Sequence, residues 1–379
     1  MNSSDNNKRI LILSNHHSYT YSFRKEIIQK LLDEGYEVYV NLPYGEKVRL
    51  LEEMGCIYIE SHLDRRGMNP FADLKLVKSY YDLIKRIKPN VVLSYTIKPN
   101  IYGGLICRAF KIPLIANVTG LGTAVGNESI LQKILVSLYK LAFKKASCVF
   151  FQNESNKDFF VNSGISLKRY KVIPGSGINI NEFPYREYPI DDGTIRFLFI
   201  GRIMKDKGIE ELIEAAKEIK EKHQNIQFDA LGFCEEEYKN KVEVLQKKNI
   251  ITFHGVKDNV RVYLENCNAV IHPTYHEGMS NVLLEAAATG RPILASNIPG
   301  CKEIFEEGIN GFGFEPKSIK SLSQAIQRFI NLSNEERMLM GKAGRKKVER
   351  EFDRSIVVNE YLNEIDRILG GKNELIWKN

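Results

Sequence analysis

Short apolar runs alternate with helix-forming segments along nearly the whole chain, and this alternation constrains its fold most strongly. In the first half, the clearest predicted strands are residues 9–14, 36–41, 91–95, 114–118 and 148–152. The second half repeats the scheme from Ile195 to about Glu351, without a detectable sequence repeat. Such alternation favours parallel sheets covered by helices on both faces, so we predict an α/β protein. With 379 residues, the chain is long enough for two domains with separate cores.

The predicted domain boundary lies in a stretch with little periodicity. Residues 182–193 contain Pro184, Pro189 and Gly193, a composition typical of a linker. A last helix is predicted from about Ser355 to Leu369. The predicted divisions are an N-terminal domain over residues 1–183, a C-terminal domain over residues 184–354 and a C-terminal segment over residues 355–379.

Two carboxylates lie on either side of a predicted turn from a strand into a helix. Residues 268–273 form the strand, and Ser280 or Asn281 can serve as the N-cap of the helix. Glu277 then precedes the helix, and Glu285 lies about one turn inside it. Between them are the free N–H groups of a helix N-terminus, which bind anions. This arrangement suits a ligand that carries hydroxyls on both sides of its phosphates, as a sugar nucleotide does.

A basic loop precedes this element in the chain. Residues 195–200 form a predicted strand, Gly201 ends it, and Gly208 precedes the next helix. Arg202 and Lys207 therefore lie on one loop at the carboxyl end of a strand, where open α/β sheets bind ligands. A guanidinium together with an ammonium group is suited to a diphosphate, although both could also be solvated loop charges.

These two elements carry a resemblance to a known family. The sequence Gly201-Arg202…Lys207-Gly208, followed by Glu277-x7-Glu285, resembles the retaining glycosyltransferases of family 4. The resemblance extends over most of the chain. It implies the GT-B fold, with two facing Rossmann-like domains built on parallel sheets. It also implies that the last helix crosses back to the first domain.

The resemblance implies roles at the donor end of the site. Glu277 would bind hydroxyls of the donor sugar and Glu285 those of the ribose, so we expect Glu277, Arg202 and Lys207 to be catalytic. The alternative for both carboxylates is an ordinary surface position, because negative charge is favourable near a helix start. The expected donor-binding residues are Gly201, Gly278, Met279, Ser280, Asn281, Val282 and Glu285.

The first half carries a narrower resemblance. Residues 94–103, 115–122 and 153–156 are similar to enzymes that extend polyprenyl-diphosphate-linked sugars for capsule, O-antigen or glycoprotein glycans. Many family members place a histidine in the loop after residues 91–95, but this chain has none there, so no acceptor-side histidine is assigned. The expected acceptor-binding residues are Asn15, His16, Lys98, Asn100, Thr119 and Gly120. Solvated loop positions are the alternative for Lys98 and Asn100 and for the histidines at residues 16 and 17.

The net charge of +7 is unevenly distributed along the chain. Residues 1–190 carry 26 Lys and Arg against 17 Asp and Glu, whereas the remainder carries 28 against 30. A basic first half favours an anionic membrane surface or lipid diphosphate; nucleic acid is not expected, because no nucleic-acid motif is present. Residues 130–145 form a predicted amphipathic helix with lysines at 133, 140, 144 and 145. Core packing with a solvated face is one interpretation, and docking on a membrane surface is the other.

Metal, disulfide and membrane-spanning elements are not predicted. His272 and His276 have helical ligand spacing, but Pro273 lies between them in a strand and turn, and no Asp-x-Asp pair is present. The six cysteines form no CxxC pair, which is typical of reduced thiols in a cytosolic protein. No apolar run approaches the roughly 20 residues of a membrane span, and the polar start predicts no signal peptide.

The sequence therefore predicts a metal-independent retaining glycosyltransferase without cofactors. It would move a sugar from a UDP-sugar to a lipid-linked saccharide in surface polysaccharide or glycan biosynthesis. We expect a cytoplasmic protein that is peripheral on the inner face of the cell membrane. Two alternatives are a sugar-nucleotide epimerase on the same fold and a non-catalytic protein that binds nucleotide-sugars. The donor sugar, the linkage and the oligomeric state are not predicted.

Overall fold

The protein forms two compact units. The computed structural model describes residues 8–63, 69–120 and 130–370. The N-terminal unit comprises the residues up to Ser176 and the C-terminal segment from Ser355, and the C-terminal unit spans Gly177–Arg354.

The units divide at Ser176, earlier than the predicted boundary at residue 183. Backbone hydrogen bonds explain this difference. Ile178 N donates to the carbonyl of Phe352 at 2.8 Å, and Arg354 N donates to the carbonyl of Ile178 at 2.9 Å. The segment that follows Ser176 is therefore paired with the end of the C-terminal unit, and the proline-containing stretch lies inside that unit.

The N-terminal unit contains a sheet of seven parallel strands. The strands are β1 (Arg9–Leu13), β2 (Glu37–Leu42), β3 (Ile57–Glu60), β4 (Val91–Tyr95), β5 (Leu114–Val118), β6 (Cys148–Phe151) and β7 (Tyr170–Val172). Their order in the sheet is β3-β2-β1-β4-β5-β6-β7, so β1 and β4 lie at its centre. The register pairs Leu13 with Asn41 on one side and with Ser94 on the other.

Helices cover both faces of this sheet. They are α1 (His17–Asp33), α2 (Val48–Glu53), α3 (Pro70–Ile87), α4 (Gly104–Phe110), α5 (Ile130–Phe143), α6 (Glu154–Asn162) and α13 (Arg354–Leu369). Alternate residues of β1 face opposite cores: Leu11 packs in the cluster that contains Tyr80 of α3, and Ile10 in the cluster that contains Ile28 of α1. A one-turn π-helix, Pro99–Gly103, leads into α4.

Helix α13 belongs to the core of the N-terminal unit. The ring of Tyr361 packs edge-on against Phe150, with centroids 4.7 Å apart, and its hydroxyl accepts from Asn117 Nδ2 at 2.7 Å. Buried Glu364 accepts from Arg169 Nε at 2.8 Å. These apolar and ionic contacts explain why the end of the chain completes its first unit.

The C-terminal unit contains a sheet of six parallel strands. The strands are β8 (Ile195–Ile200), β9 (Ile226–Leu231), β10 (Thr252–Phe253), β11 (Ala269–His272), β12 (Ile293–Ser296) and β13 (Gly311–Phe314), in the order β10-β9-β8-β11-β12-β13. The helices are α7 (Ile209–Lys222), α8 (Lys239–Lys247), α9 (Arg261–Asn266), α10 (Asn281–Ala288), α11 (Ile319–Ile330) and α12 (Asn334–Glu351). Short 3-10 turns occupy Lys205–Lys207 and Glu236–Tyr238.

Strand order places two loops side by side at one edge of this sheet. Strands β8 and β11 are neighbours, with Phe197 paired to Ala269. Because both strands run in the same direction, the loops that follow their carboxyl ends must meet. In the ranges that the structure describes, no helix has the length and apolarity needed to cross a membrane.

Candidate active site

The basic loop and the first carboxylate come together as an ion pair. Lys207, on the 3-10 turn after β8, donates from Nζ to Oε1 of Glu277, on the loop between β11 and α10. Both side chains are largely buried but retain some exposure. The two predicted catalytic residues are therefore within contact of each other at the carboxyl edge of the sheet.

Backbone contacts hold these two loops together. Tyr275 N donates to the carbonyl of Asp206 at 3.0 Å. Gly208 has a φ of +70°, and a Cβ at this position would lie 2.0 Å from the carbonyl oxygen of Pro273. Only glycine allows this close approach of the two backbones. The position of Lys207 is thus fixed by the main chain around it.

A buried histidine completes the contacts of Glu277. His272, at the end of β11, is 2% exposed, and its Nε2 lies 3.1 Å from Glu277 Oε1. Sequence reasoning weighed His272 only as a metal ligand and missed this contact. No local spacing rule could have found it, because a strand end and the loop five residues later meet only through the turn between them.

These contacts keep Glu277 ionised. Burial by itself would raise its pKa, but hydrogen bonds from His272 and Lys207 and the charge of Lys207 hold the pKa of Glu277 at about 2. Burial lowers the pKa of His272, so its ring is neutral at pH 7. A neutral ring that donates to Glu277 carries its proton on Nε2.

The N-terminus of α10 lies directly after Glu277 in the chain. Ser280 caps the helix, and its hydroxyl accepts from Leu283 N at 3.4 Å. Its own N–H donates to the carbonyl of Gly300 at 2.8 Å, which fixes the loop against the segment after β12. The remaining first-turn N–H groups, at Asn281 and Val282, have no acceptor inside the helix and suit an anion.

Three of the other predicted donor residues have no polar side chain to offer a ligand. Met279 is buried in the apolar core, so its side chain is not available to a polar ligand. Gly201 approaches the neighbouring strand exit so closely that a Cβ at Gly232 would lie 1.9 Å from its carbonyl oxygen. Similarly, a Cβ at Gly300 would lie 2.7 Å from the carbonyl oxygen of Gly278.

Arg202 lies on the same edge of the sheet but has a different partner. Its guanidinium Nη1 is 3.6 Å from Oε1 of Glu235, on the loop after β9, and its side chain is largely exposed. This is a weak surface pair that an anionic ligand could replace. The structure therefore brings Lys207 and Glu277 together, whereas Arg202, on the same loop as Lys207, pairs with the loop after β9.

Glu285 differs from Glu277 in its electrostatics. Burial raises the pKa of Glu285 to about 7, and the charge of Arg354 offsets only part of this shift. In the described part of the chain its carboxylate accepts no hydrogen bond from a side chain or backbone group. The charged form of Glu285 is therefore less favoured than that of Glu277, and no hydrogen bond from the described residues stabilises it.

Two of the predicted acceptor residues have structural partners in the N-terminal unit. Lys98 Nζ lies 2.6 Å from Oδ1 of Asp73 in α3. Asn100 is 1% exposed; it accepts from the Ser94 hydroxyl at 2.7 Å and donates to the carbonyl of Asn117 at 2.8 Å. These contacts join the π-helix to its neighbours, so as placed Asn100 presents no surface to a ligand.

The other predicted acceptor residues lie at the carboxyl edge of the first sheet. Asn15 and His16 follow β1 and are half-buried, and His16 Nδ1 accepts from Ser18 N at 3.2 Å as the N-cap of α1. Thr119 and Gly120 follow β5 and are also half-buried. Residues 121 and 122 of the same motif lie outside the described residues.

The predicted amphipathic helix is α5, and its apolar stripe is divided. Tyr139, Ala142 and Phe143 are buried, whereas Ile130 is 80% exposed and Ile134 is 51% exposed. Core packing therefore accounts for part of this stripe and leaves Ile130, Ile134 and Leu141 at least half exposed.

The described residues include no group of three His, Cys, Asp or Glu side chains that could hold a metal ion. Of the two histidines with ligand spacing, His272 and His276, His272 directs its Nε2 to Glu277. The positive groups that the site offers to an anion are those of Arg202, Lys207 and α10.

The two halves of the chain match different families of known proteins. Residues 182–347 match the family of glycosyl transferases group 1, and residues 9–153 match the glycosyl transferase 4-like family. A Campylobacter jejuni relative, N,N'-diacetylbacillosaminyl-diphospho-undecaprenol alpha-1,3-N-acetylgalactosaminyltransferase, is 29% identical, and the match covers 95% of this chain and 99% of the relative. The Staphylococcus aureus capsular polysaccharide biosynthesis glycosyltransferase CapM is 28% identical over 78% of this chain and 81% of its own.

A solved structure shows the same fold. The crystal structure of Anabaena Alr3699/HepE in complex with UDP and glucose superposes with a TM-score of 0.76. It shares 18% sequence identity and covers 94% of this chain and 98% of that chain.

Proposed function

The chain belongs to the GT-B glycosyltransferases, and from this premise we propose that it transfers a sugar, with retention, from a UDP-sugar to a polyprenyl-diphosphate-linked saccharide. Its relatives in polysaccharide and glycan biosynthesis support that class of product. The observation that carries the proposal is the Glu277–Lys207 pair beside the N-terminus of α10.

The donor would replace contacts that the site now makes internally. The diphosphate would draw Lys207 away from Glu277, and Arg202 away from Glu235, towards the N–H groups of α10. Glu277 would then accept hydroxyls of the donor sugar, and Glu285 those of the ribose. Because negative charge grows on the diphosphate as it leaves, cations held beside it stabilise the transition state more than the ground state.

A UDP donor is supported by the solved relative of the same fold, whose complex contains UDP and glucose. We assign neutralisation of the diphosphate to protein groups, because Arg202, Lys207 and a helix N-terminus all lie at one sheet edge. Added EDTA should therefore leave turnover within about twofold of its starting value, a change too small to represent loss of a transition-state charge partner. A strict requirement for magnesium or manganese would contradict this assignment.

The acceptor class is supported by a relative. The Campylobacter jejuni protein is named for a diphospho-undecaprenol-linked substrate, and the match covers nearly all of both chains. In the N-terminal unit, Asn15, His16, Thr119 and Gly120 remain half-exposed at the sheet edge and are the proposed acceptor contacts.

We further propose that the N-terminal unit binds the inner face of the cell membrane through α5. The exposed apolar side chains of its first half, Ile130, Leu131 and Ile134, lie on a helix that also exposes Lys133 and Lys140. Apolar insertion combined with basic charge is how interfacial helices bind anionic lipid. Each lysine close to such a surface contributes about 1 kcal/mol.

Charge reversal tests the membrane proposal. Changing the four lysines at 133, 140, 144 and 145 to Glu should release the protein from anionic liposomes in a sedimentation assay. The matched control reverses four exposed lysines in and beside α8 of the C-terminal unit, Lys239, Lys241, Lys247 and Lys248, and should leave binding intact. Equal loss in both variants would mean that overall charge, and not α5, determines the binding.

The proposed reaction is tested by mass spectrometry. UDP-sugars are incubated with the purified protein and with undecaprenyl-diphosphate-linked saccharides, and the expected result is one acceptor whose mass rises by one sugar, without turnover in Glu277→Gln. Conversion of the UDP-sugar without an acceptor would indicate the epimerase alternative. Tight binding of UDP-sugar with no product from any acceptor would indicate the non-catalytic alternative.

A further inference from the structure

A polar side chain without an evident structural purpose lies behind the proposed sugar site. His272 ends a strand whose other residues, Ala269, Val270 and Ile271, are apolar and fully buried. Its Nδ1 has no hydrogen-bond partner in the described part of the chain, and its single polar contact is Nε2 to Glu277 Oε1. Burying an imidazole costs free energy when one of its ring nitrogens has no hydrogen-bond partner. The remaining contact with Glu277 is therefore the feature that calls for an explanation.

Both donors to Glu277 contact the same carboxylate oxygen. Lys207 Nζ and His272 Nε2 donate to Oε1, and in the described residues Oε2 accepts no hydrogen bond. One oxygen therefore anchors the carboxylate within the protein, and the other is available to a ligand hydroxyl.

We propose that His272 is the positioning residue that holds the Glu277 carboxylate in place when the donor diphosphate draws Lys207 away. The inference rests on the proposed function. Of the two anchors, Lys207 lies on a turn and carries the charge that a diphosphate attracts, whereas His272 is neutral and fixed in a strand. Because His272 is buried and fixed in β11, we expect its contact with Glu277 to persist with the donor bound.

The groups around Glu277 define what the loss of His272 would do. They are His272 from β11, Lys207 from the turn after β8 and the Cys301 thiol from the segment after β12. Burial raises the pKa of Cys301 well above its usual value, so that thiol is uncharged. Once Lys207 binds phosphate, His272 is the remaining group that opposes the upward effect of burial on the pKa of Glu277.

The test compares variants with and without a donor at position 272. His272→Leu and His272→Met keep an apolar side chain of similar volume, and His272→Gln keeps an N–H donor. Turnover of the UDP-sugar and acceptor identified above is measured from pH 5 to pH 9. The donor-less variants should lose about tenfold to a hundredfold in kcat with a smaller change in KM, and the acid limb of kcat should move to higher pH. His272→Gln should recover most of kcat and the original acid limb.

A matched histidine provides the control. His223, at the end of α7, contacts Gln327 Oε1 at 3.0 Å on the opposite edge of the sheet, and His223→Leu should leave kcat and the pH profile unchanged. Wild-type kinetics in His272→Leu or His272→Met would overturn the inference. So would an equal loss in Leu, Met and Gln variants without movement of the acid limb, because that pattern indicates packing alone.

Glu277→Gln separates this inference from the proposed function. If Glu277→Gln turns over normally, the assignment of the site itself is wrong. If Glu277→Gln is inactive while His272→Leu behaves as wild type, only the role of His272 is wrong.

Discussion

The carboxyl edges of the two sheets had similar candidate residues in the sequence but differ in the structure. At the carboxyl edge of the sheet in the C-terminal unit (the C-terminal edge), partly exposed Lys207 and buried His272 both contact Glu277 beside a helix N-terminus. At the carboxyl edge of the sheet in the N-terminal unit (the N-terminal edge), Lys98 forms an ion pair with Asp73. Asn100 there hydrogen-bonds Ser94 and the backbone of β5. The amide of buried Asn100 is used within the protein, whereas the Lys207–Glu277 pair lies beside helix N–H groups that have no acceptor inside the helix.

The largest effect is expected from the cation at the C-terminal edge. Lys207→Ala should lower kcat by raising the activation free energy by roughly 2–4 kcal/mol, because the contact of Lys207 with the leaving diphosphate strengthens in the transition state. Lys205→Ala, at an exposed position on the same turn, is the matched control and should have little effect. Equal turnover of both variants in steady-state kinetics would show that Lys207 does not stabilise the leaving diphosphate.

A backbone substitution tests whether the C-terminal edge depends on close loop contact. Gly208→Ala should destabilise the protein by about 2–3 kcal/mol, because its Cβ meets the carbonyl of Pro273 at a positive φ. Gly193→Ala has a similar φ but open space around the added carbon, so about 1 kcal/mol is expected there. Urea unfolding measures both, and equal losses would show that the contact with Pro273 relaxes freely.

The N-terminal edge is tested through its buried amide. Asn100→Ala should destabilise the protein by about 1–2 kcal/mol, because the Asn117 carbonyl loses its donor and Ser94 loses its acceptor. Asn162→Ala, at the exposed end of α6, should be neutral. If Asn100→Ala instead raises KM for the acceptor at unchanged stability, Asn100 is a ligand contact and the difference between the two edges is smaller than described.

The smallest effect concerns the second carboxylate. With a pKa of about 7, Glu285 is ionised above that pH and loses its charge as the pH falls through it. If the ionised form accepts the ribose hydroxyls, UDP affinity should fall severalfold, at most about tenfold, between pH 8 and pH 6. Calorimetry should show a flatter dependence in Glu285→Gln, which also controls for titration of UDP itself. An identical dependence in both proteins would contradict a ribose contact through the carboxylate.

Much of the fold was predictable because its signals are local. Apolar runs such as β4 and β5 are fully buried on both faces, as parallel strands require, and their period and length are visible in the sequence. The α/β fold was confirmed, and the two halves of the chain match glycosyl transferase families, as the sequence predicted. The domain boundary was less accessible, because Pro184 and Gly193 indicate an irregular segment whichever unit contains it.

The candidate site was predictable only in part. The proximity of Lys207 and Glu277 was predictable because both follow strands of one sheet, and strand ends meet at a common edge. The contact of His272 with Glu277 and the engagement of Lys98 with Asp73 could not be assigned, since each depends on how a loop turns or a helix packs. The apolar pattern of α5 likewise did not reveal which of its side chains the core would cover.

The sequence by itself determined the alternation of strands and helices, the position of the basic loop and of the α10 N-terminus at strand exits and the uneven charge of the two halves. The tertiary structure decided which polar groups remain available. Asn100 and Glu285 both lie near sheet edges, yet Asn100 is hydrogen-bonded through both its amide oxygen and its amide nitrogen, whereas burial raises the pKa of Glu285 to about 7. The physical reason is that hydrogen bonding and desolvation depend on neighbours brought together by sheet order and helix packing, and these neighbours are distant in the chain.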